Sequence, residues 1–179
     1  MTAYSELKQR ARQKNHDIID PSATVTGKDV AERQVGRRVY NLHISSDADA
    51  TTARPSIVHL GFPASEFPGG VEVKSVVFRA GVVTPHDDNH FTDTLESCGT
   101  DGVADSTVAT LTSDGNAAGS KLGAAGAATT ANKPYTAAVS GTIANNQIVA
   151  GGSLSLSRAK AGTGVTVLGC SYEVVVEAL

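Results

Sequence analysis

The stretch HDDNH, residues 86–90, places two histidines, two aspartates and an asparagine in five positions. These residue types hold divalent cations or move protons. Histidines four apart meet on one face of a helix, as in zinc proteases. Pro85 and the strand-like flanks argue against a helix at this point. In an extended strand His86, Asp88 and His90 share a face, but successive side chains stand about 6.5–7 Å apart. A turn gathers them, and Asp87 and Asp88 then offer oxygen to a cation. The simplest reading is a polar turn, because Asp and Asn bond nearby backbone N–H groups. The order of preference is a structural loop, then an incidental or structural ion, then catalysis, since no other feature supports chemistry.

Other catalytic signatures are missing. The chain has no GxSxG elbow, no Walker loop and no HExxH. "GAAGAA" is superficially similar to a dinucleotide glycine loop. It follows no apolar strand and opens no helix with a later ribose-binding acid. Cys98 and Cys170 are the two cysteines, too few for a disulfide scaffold and without zinc spacing. They read as free structural thiols, with Cys170 a small hydrophobe in "VTVLGCSYEVVVEAL". The expectation is a protein that is not an enzyme, with no catalytic residue, no cofactor and no metal.

Charge is unevenly spread over a net −3. Residues 1–40 hold eight Lys/Arg against five acids, and residues 41–179 hold seven against thirteen. A basic arm on an acidic body suggests an arm that lies on an acidic partner surface; the plain alternative is a solvated helix. Tyr4, Leu7, Arg10, Arg12, Lys14, Arg37 and Arg38 are therefore the candidate partner-binding residues. Arg37 and Arg38 are a weak nucleic-acid signal, because no aromatic stacking residues surround them and the whole chain is acidic. No apolar run approaches the ~18–20 residues of a membrane span, and the first twenty residues lack a signal-peptide apolar region. The expected setting is a cytoplasm, or a particle assembled there.

These residues must be positioned by short strands. Aromatics make up 4% of the chain, and there are 18 glycines. Thr2 to Asp17 is rich in helix formers, with Tyr4, Leu7 and Ala11 making a thin apolar stripe. "DPSATVTGKDVAERQVG" reads as an extended linker, so residues 1–36 form an arm and 37–179 a body. From Arg37 the period becomes two. Strands are expected in "RRVYNLHI", "SIVHLGF", "VEVKSVVFRAG", "FTDTLES", "STVATLTS", "YTAAVS", "GGSLSLSRAK" and the terminal "GCSYEVVVE" (Gly169–Glu177). Val71 and Val73 fall out of phase with Val76 and Phe78, which predicts a bulge near Ser75. Cys170, Tyr172, Val174 and Val176 share an inward face, with Glu173 and Glu177 toward water. Residues 114–134 make a long loop of small and polar types, a length usually functional or mobile. The fold class is all-β, an antiparallel β-sandwich, with an N-terminal helical or extended arm.

About residues 71–179 also resemble a recurring domain of tailed-phage virion proteins. The likeness lies in the order of "AGVVTPHDDNHFT", a Thr-rich strand, a variable Gly/Ala/Thr loop, "PYTAAVSG" and "VAGGSLSLSRAKAGTGVTVLGCSYEVVVE". The resemblance implies a capsid decoration (cement) protein with a jelly-roll-like body, in which HDDNH joins two strands. Its implied partners are the major capsid protein and other copies of itself, a homotrimer first and a homodimer second, with no membrane and no specific nucleic acid. Its implied location is the capsid surface of a virion assembled in the host cytoplasm. A receptor- or carbohydrate-binding module of a head fibre or tail is the alternative, and the scarcity of aromatics speaks against it.

Overall fold

The computed structural model describes residues 37–44, 54–165, 167 and 169–179. The expected helix over Thr2–Asp17 and the linker after it lie outside the described residues. Nine strands are present among those described. They are β1 (Arg37–Ile44), β2 (Arg54–Gly61), β3 (Val71–Ala80), β4 (His90–Cys98), β5 (Ala104–Thr112), β6 (Tyr135–Ala137), β7 (Gln147–Ile148), β8 (Ser153–Ala161) and β9 (Cys170–Ala178). One four-residue helix, α1 (Ile143–Asn146), precedes β7.

The strands form two antiparallel sheets. One runs β1-β9-β3-β6, with β7 also paired to β3; the other runs β2-β8-β4-β5. Connections between successive strands cross from one sheet to the other, except the β4–β5 hairpin and the link from β6 to β7. That strand order is the jelly roll, the double Greek-key sandwich.

Alternation explains the packing. On β9, Cys170, Tyr172, Val174 and Val176 are buried, while Glu173 and Glu177 stay half-exposed. On β8, Leu154 and Leu156 point into the core. The bulge expected near Ser75 is present: Val73 faces Val176, and Ser75 faces Val175. Lys74 is the extra residue, and its insertion restores the phase. Val71, Val73, Val76 and Phe78 consequently all face the core, on one side of the strand. The outer face of the same sheet is tied by ion pairs, Lys74 to Glu72 at 2.7 Å and Arg79 to Glu173 at 3.2 Å.

The loops divide between two ends of the sandwich. At one end lie the β3–β4 loop with HDDNH, the long β5–β6 loop and the β8–β9 turn. They are joined by His86 N–H to Ser113 O (3.1 Å) and Gly126 N–H to Pro85 O (2.8 Å). At the other end lie the β2–β3 loop (62–70), the β4–β5 turn (99–103) and the β7–β8 loop (149–152). There Phe62 and the 149–152 loop exchange two backbone bonds of 2.9 Å. The second half of the 114–134 loop, from Gly126 to Asn132, is anchored to the 80–85 segment, and its first half is bonded to Thr112. Thr129 N–H bonds Val83 O (2.7 Å), Val83 N–H bonds Thr129 Oγ1 (2.8 Å), and Asn132 N–H bonds Ala80 O (2.7 Å). Leu122 is buried within this loop.

Candidate functional site

The HDDNH stretch is a turn between β3 and β4, held by its own side chains. The His86 ring Nδ1 accepts the N–H groups of Asp88 (3.1 Å) and Asn89 (3.3 Å). The His90 Nδ1 lies 2.9 Å from the Asp87 carbonyl oxygen. Asn89 Oδ1 accepts both the N–H (2.9 Å) and the hydroxyl (3.0 Å) of Thr163 across the end of the sandwich. Gly162, beside Thr163, has φ +56°, and a side-chain carbon there would collide with Asn89 Oδ1. The approach of the two turns thus requires glycine at 162. His86, Asp87 and Asp88 are exposed. No cluster of three or more His, Cys, Asp or Glu side chains suited to a metal occurs among the described residues.

The densest constellation of reactive groups lies elsewhere, in the core. Asp93 on β4 and Arg158 on β8 are direct cross-strand partners. Both side chains are fully buried, and they pair in a two-pronged fork: Arg158 Nε donates to Oδ1 at 2.6 Å and Nη2 to Oδ2 at 2.6 Å. The Tyr172 hydroxyl, on the opposite sheet, donates to Asp93 Oδ2 at 2.6 Å. Arg158 Nη2 also donates to Cys170 Sγ at 3.7 Å, and the guanidinium carbon sits 4.5 Å from the centre of the Phe91 ring. Two buried charges are tolerated because each is bonded to the other and to further donors or π-electrons.

The electrostatics follow from this arrangement. Burial works against the Arg158 charge, but the carboxylate bonded to it prevails and holds the guanidinium charged, its pKa above the ordinary value. Burial, then the negative Asp93 beside it, pushes the Tyr172 hydroxyl well above the ordinary 10.0. Burial also raises the Cys170 thiol, with Arg158 opposing. Cys98 is raised by burial too, and both cysteines are free and buried. The arrangement clamps one sheet to the other through neutral Tyr172 and the ion pair. It holds its reactive groups away from solvent.

Of the candidate partner-binding residues, Tyr4, Leu7, Arg10, Arg12 and Lys14 lie outside the described residues. Arg37 and Arg38 open β1 and are exposed. Arg38 pairs with Glu66 at 3.6 Å and lies over the Phe67 ring at 5.3 Å, so it braces the β2–β3 loop as well as facing solvent. Sequence reading missed the core pair, although alternation contained its signal. Asp93 falls between inward Phe91 and Leu95, and Arg158 continues the inward parity of Leu154 and Leu156.

No family model matches the chain, and no curated protein matches it. Among solved structures, a chain in the structure of the Gx strain of infectious bursal disease virus is similar over 79% of this chain, at 14% identity and a TM-score of 0.34. The match covers 32% of that chain, so this protein spans about a third of its length. At that score the likeness supports no functional argument.

Proposed function

We propose that the protein is a non-enzymatic structural component of a virion, decorating and stabilising a tailed-phage capsid by binding across capsomer borders. The observation that carries the reading is the strand order, β1-β9-β3-β6 over β2-β8-β4-β5. Jelly rolls of this order recur in viral capsid proteins, and also in lectins and cupins. Two further features favour the structural branch. The groups best suited to chemistry, Asp93, Arg158, Tyr172 and Cys170, are consumed in a sheet-to-sheet clamp. The long 114–134 loop is bonded down against its neighbour. The order of segments in residues 71–179, which resembles tailed-phage virion domains, points the same way. In this role the major capsid protein is the partner, the copies associate as trimers, and the protein resides on the capsid surface.

The test is a count and a challenge. Purified virions carry several hundred copies of a decoration protein by quantitative mass spectrometry; a dozen or fewer copies would indicate a tail or spike. Particles with and without the protein are then heated or osmotically shocked. Equal DNA retention by both would refute stabilisation and leave the receptor-binding alternative.

A further inference from the structure

The sequence contains two Asp–Gly pairs, Asp101–Gly102 and Asp114–Gly115, and no Asn–Gly pair. An aspartate followed by glycine is open to attack by its own backbone, because no side chain shields the glycine nitrogen or restricts its rotation. The two pairs are also alike in their nearest bond. Asp101 Oδ1 accepts the Val103 N–H at 3.0 Å, and Asp114 Oδ1 accepts the Asn116 N–H at 2.8 Å. Each carboxyl is thereby folded back over the peptide group that follows it. Sequence and local bonding therefore do not separate the two.

What surrounds each glycine does separate them. Asp101, Gly102 and Val103 are all exposed, at the tip of the β4–β5 turn. A side-chain carbon added at Gly102 would meet no other described atom within 4 Å. The Gly102 N–H donates to Gly99 O at 3.1 Å, and the Gly99 N–H donates to Val103 O at 3.2 Å. These bonds lie at a hairpin tip in contact with water, where local opening costs little. Gly115, by contrast, is buried, and a carbon added there would collide with the backbone of Ala125. Its carbonyl accepts Lys121 Nζ at 2.8 Å, and the Asp114 N–H is bonded to Thr112 Oγ1 at 3.0 Å. The Gly102 nitrogen reaches its neighbour's carboxyl carbon once one surface bond opens. The Gly115 nitrogen does so only if the packed 121–125 stretch moves with it.

We propose that Asp101–Gly102 is a site of spontaneous covalent modification, at which Asp101 becomes isoaspartate, and that the fold locks Asp114–Gly115 against the same change. The Gly102 nitrogen bonds to the Asp101 side-chain carbon Cγ. The N–H proton and the carboxyl hydroxyl leave together as water, and a five-membered succinimide closes. Water then opens the ring at one of two bonds. Cleavage between Cγ and the nitrogen returns aspartate. Cleavage between the Asp101 main-chain carbonyl carbon and the nitrogen leaves the chain running through Cβ and Cγ, with the former carbonyl now a free carboxylate. One water is lost and one regained, and nothing is oxidised or reduced. The product lengthens the main chain by one carbon and removes the acceptor of the Val103 N–H, so the end of the β4–β5 hairpin is re-formed. This inference does not depend on the decoration reading.

The experiment ages the full folded chain in buffer made with heavy-oxygen water, beside the same chain held unfolded in urea. Peptide mapping by mass spectrometry then follows the two Asp–Gly peptides. Each ring opening brings in one heavy oxygen, and isoaspartate is detected by an isoaspartyl methyltransferase with a labelled methyl donor. In the folded chain, label and isoaspartate are expected at 101 at a rate at least about tenfold above that at 114. In urea the two rates should converge, because the lock on Gly115 is tertiary. Asp101→Glu, whose longer side chain cannot close the five-membered ring, should abolish the signal at 101 and leave that at 114 unchanged. Equal rates at the two pairs in the folded chain overturn the proposal, as does a faster reaction at 114. A tenfold preference that persists in urea also overturns it, since the preference would then belong to the local sequence and not to the fold. So does a folded chain that stays unmodified at 101 while the unfolded chain reacts there.

Discussion

Two polar clusters occupy opposite environments in the same jelly roll. HDDNH is contiguous in sequence, exposed from His86 to Asp88, and bonded partly within its own turn and partly to the neighbouring loops. The Asp93–Arg158–Tyr172 cluster is assembled from positions 65 and 79 residues apart and is fully buried. HDDNH has the composition of a reactive site and behaves in the structure as a turn. The buried cluster is written in the sequence as ordinary strand, yet it holds the two buried charged side chains of the described residues. The difference lies in what surrounds each group. Water solvates an exposed carboxylate whether or not a partner is near, so local bonds there contribute little. In the core a charge without its partner has no such refuge.

The comparison breaks most visibly at Arg158. Replacing it by Met leaves the Asp93 carboxylate buried, with the Tyr172 hydroxyl still donating to it and no positive charge beside it. The expected loss is about 3–5 kcal/mol, read from urea or guanidinium midpoints. Replacing both partners, Asp93→Leu with Arg158→Met, should recover most of that loss or exceed wild type, because the desolvation cost of the ion pair disappears along with its attraction. A double variant as unstable as the single one would show that Arg158 contributes through packing on Phe91 rather than through charge.

Tyr172 sharpens the comparison through pH. Burial and Asp93 raise its folded pKa well above 10.0, and both cysteines are raised above 9.0. The unfolded chain gives up these protons at their ordinary values while the folded chain keeps them. The associated stability is therefore present in full below about pH 9 and declines as pH rises through 9–10 and beyond. Tyr172→Phe deletes a hydrogen bond to a charged acceptor and should cost about 1–3 kcal/mol at pH 7. Because the variant no longer loses stability by this ionisation, its gap to wild type should narrow above pH 10. A gap that stays constant from pH 7 to 11 would show that Tyr172 does not carry the alkaline slope.

Most of the sandwich was legible because a strand with one buried face writes its geometry as alternation. The inward set on β9 and the bulge at Lys74 could both be read this way, the bulge from a single slip between Val73 and Val76. Three things were not legible, for separable reasons. The helix α1 and the strand β7, four and two residues long, are too short to show a period. The 114–134 loop is fixed by backbone bonds to Thr112 and to residues 80–85, which composition does not encode. The core pair was overlooked because a charged residue in a strand is habitually assigned to the outer face. Two opposite charges at inward parity on two strands, Asp93 and Arg158, were the signal that one inward charge by itself would not have been.

The smallest effects are expected at HDDNH, and they differ within it. Asn89 reaches across to Thr163 with two bonds to one oxygen, and it packs against Gly162. Because its side chain joins two turns, Asn89→Ala should cost about 1 kcal/mol. His86 serves its own loop: it accepts two backbone N–H groups at the exposed surface, where water replaces it, and one of those groups belongs to Asp88. His86→Ala combined with Asp88→Ala should therefore shift stability by no more than about 0.5 kcal/mol. The same pair decides whether the turn holds an ion. Melting of the wild type should be the same with and without a chelator. A chelator-dependent fall in Tm that vanishes in the double variant would make the turn a cation site, with Asp88 or His86 among its ligands. In that outcome the exposed cluster would carry a function of its own, and the contrast with the buried one would no longer be between a turn and a clamp but between two working sites.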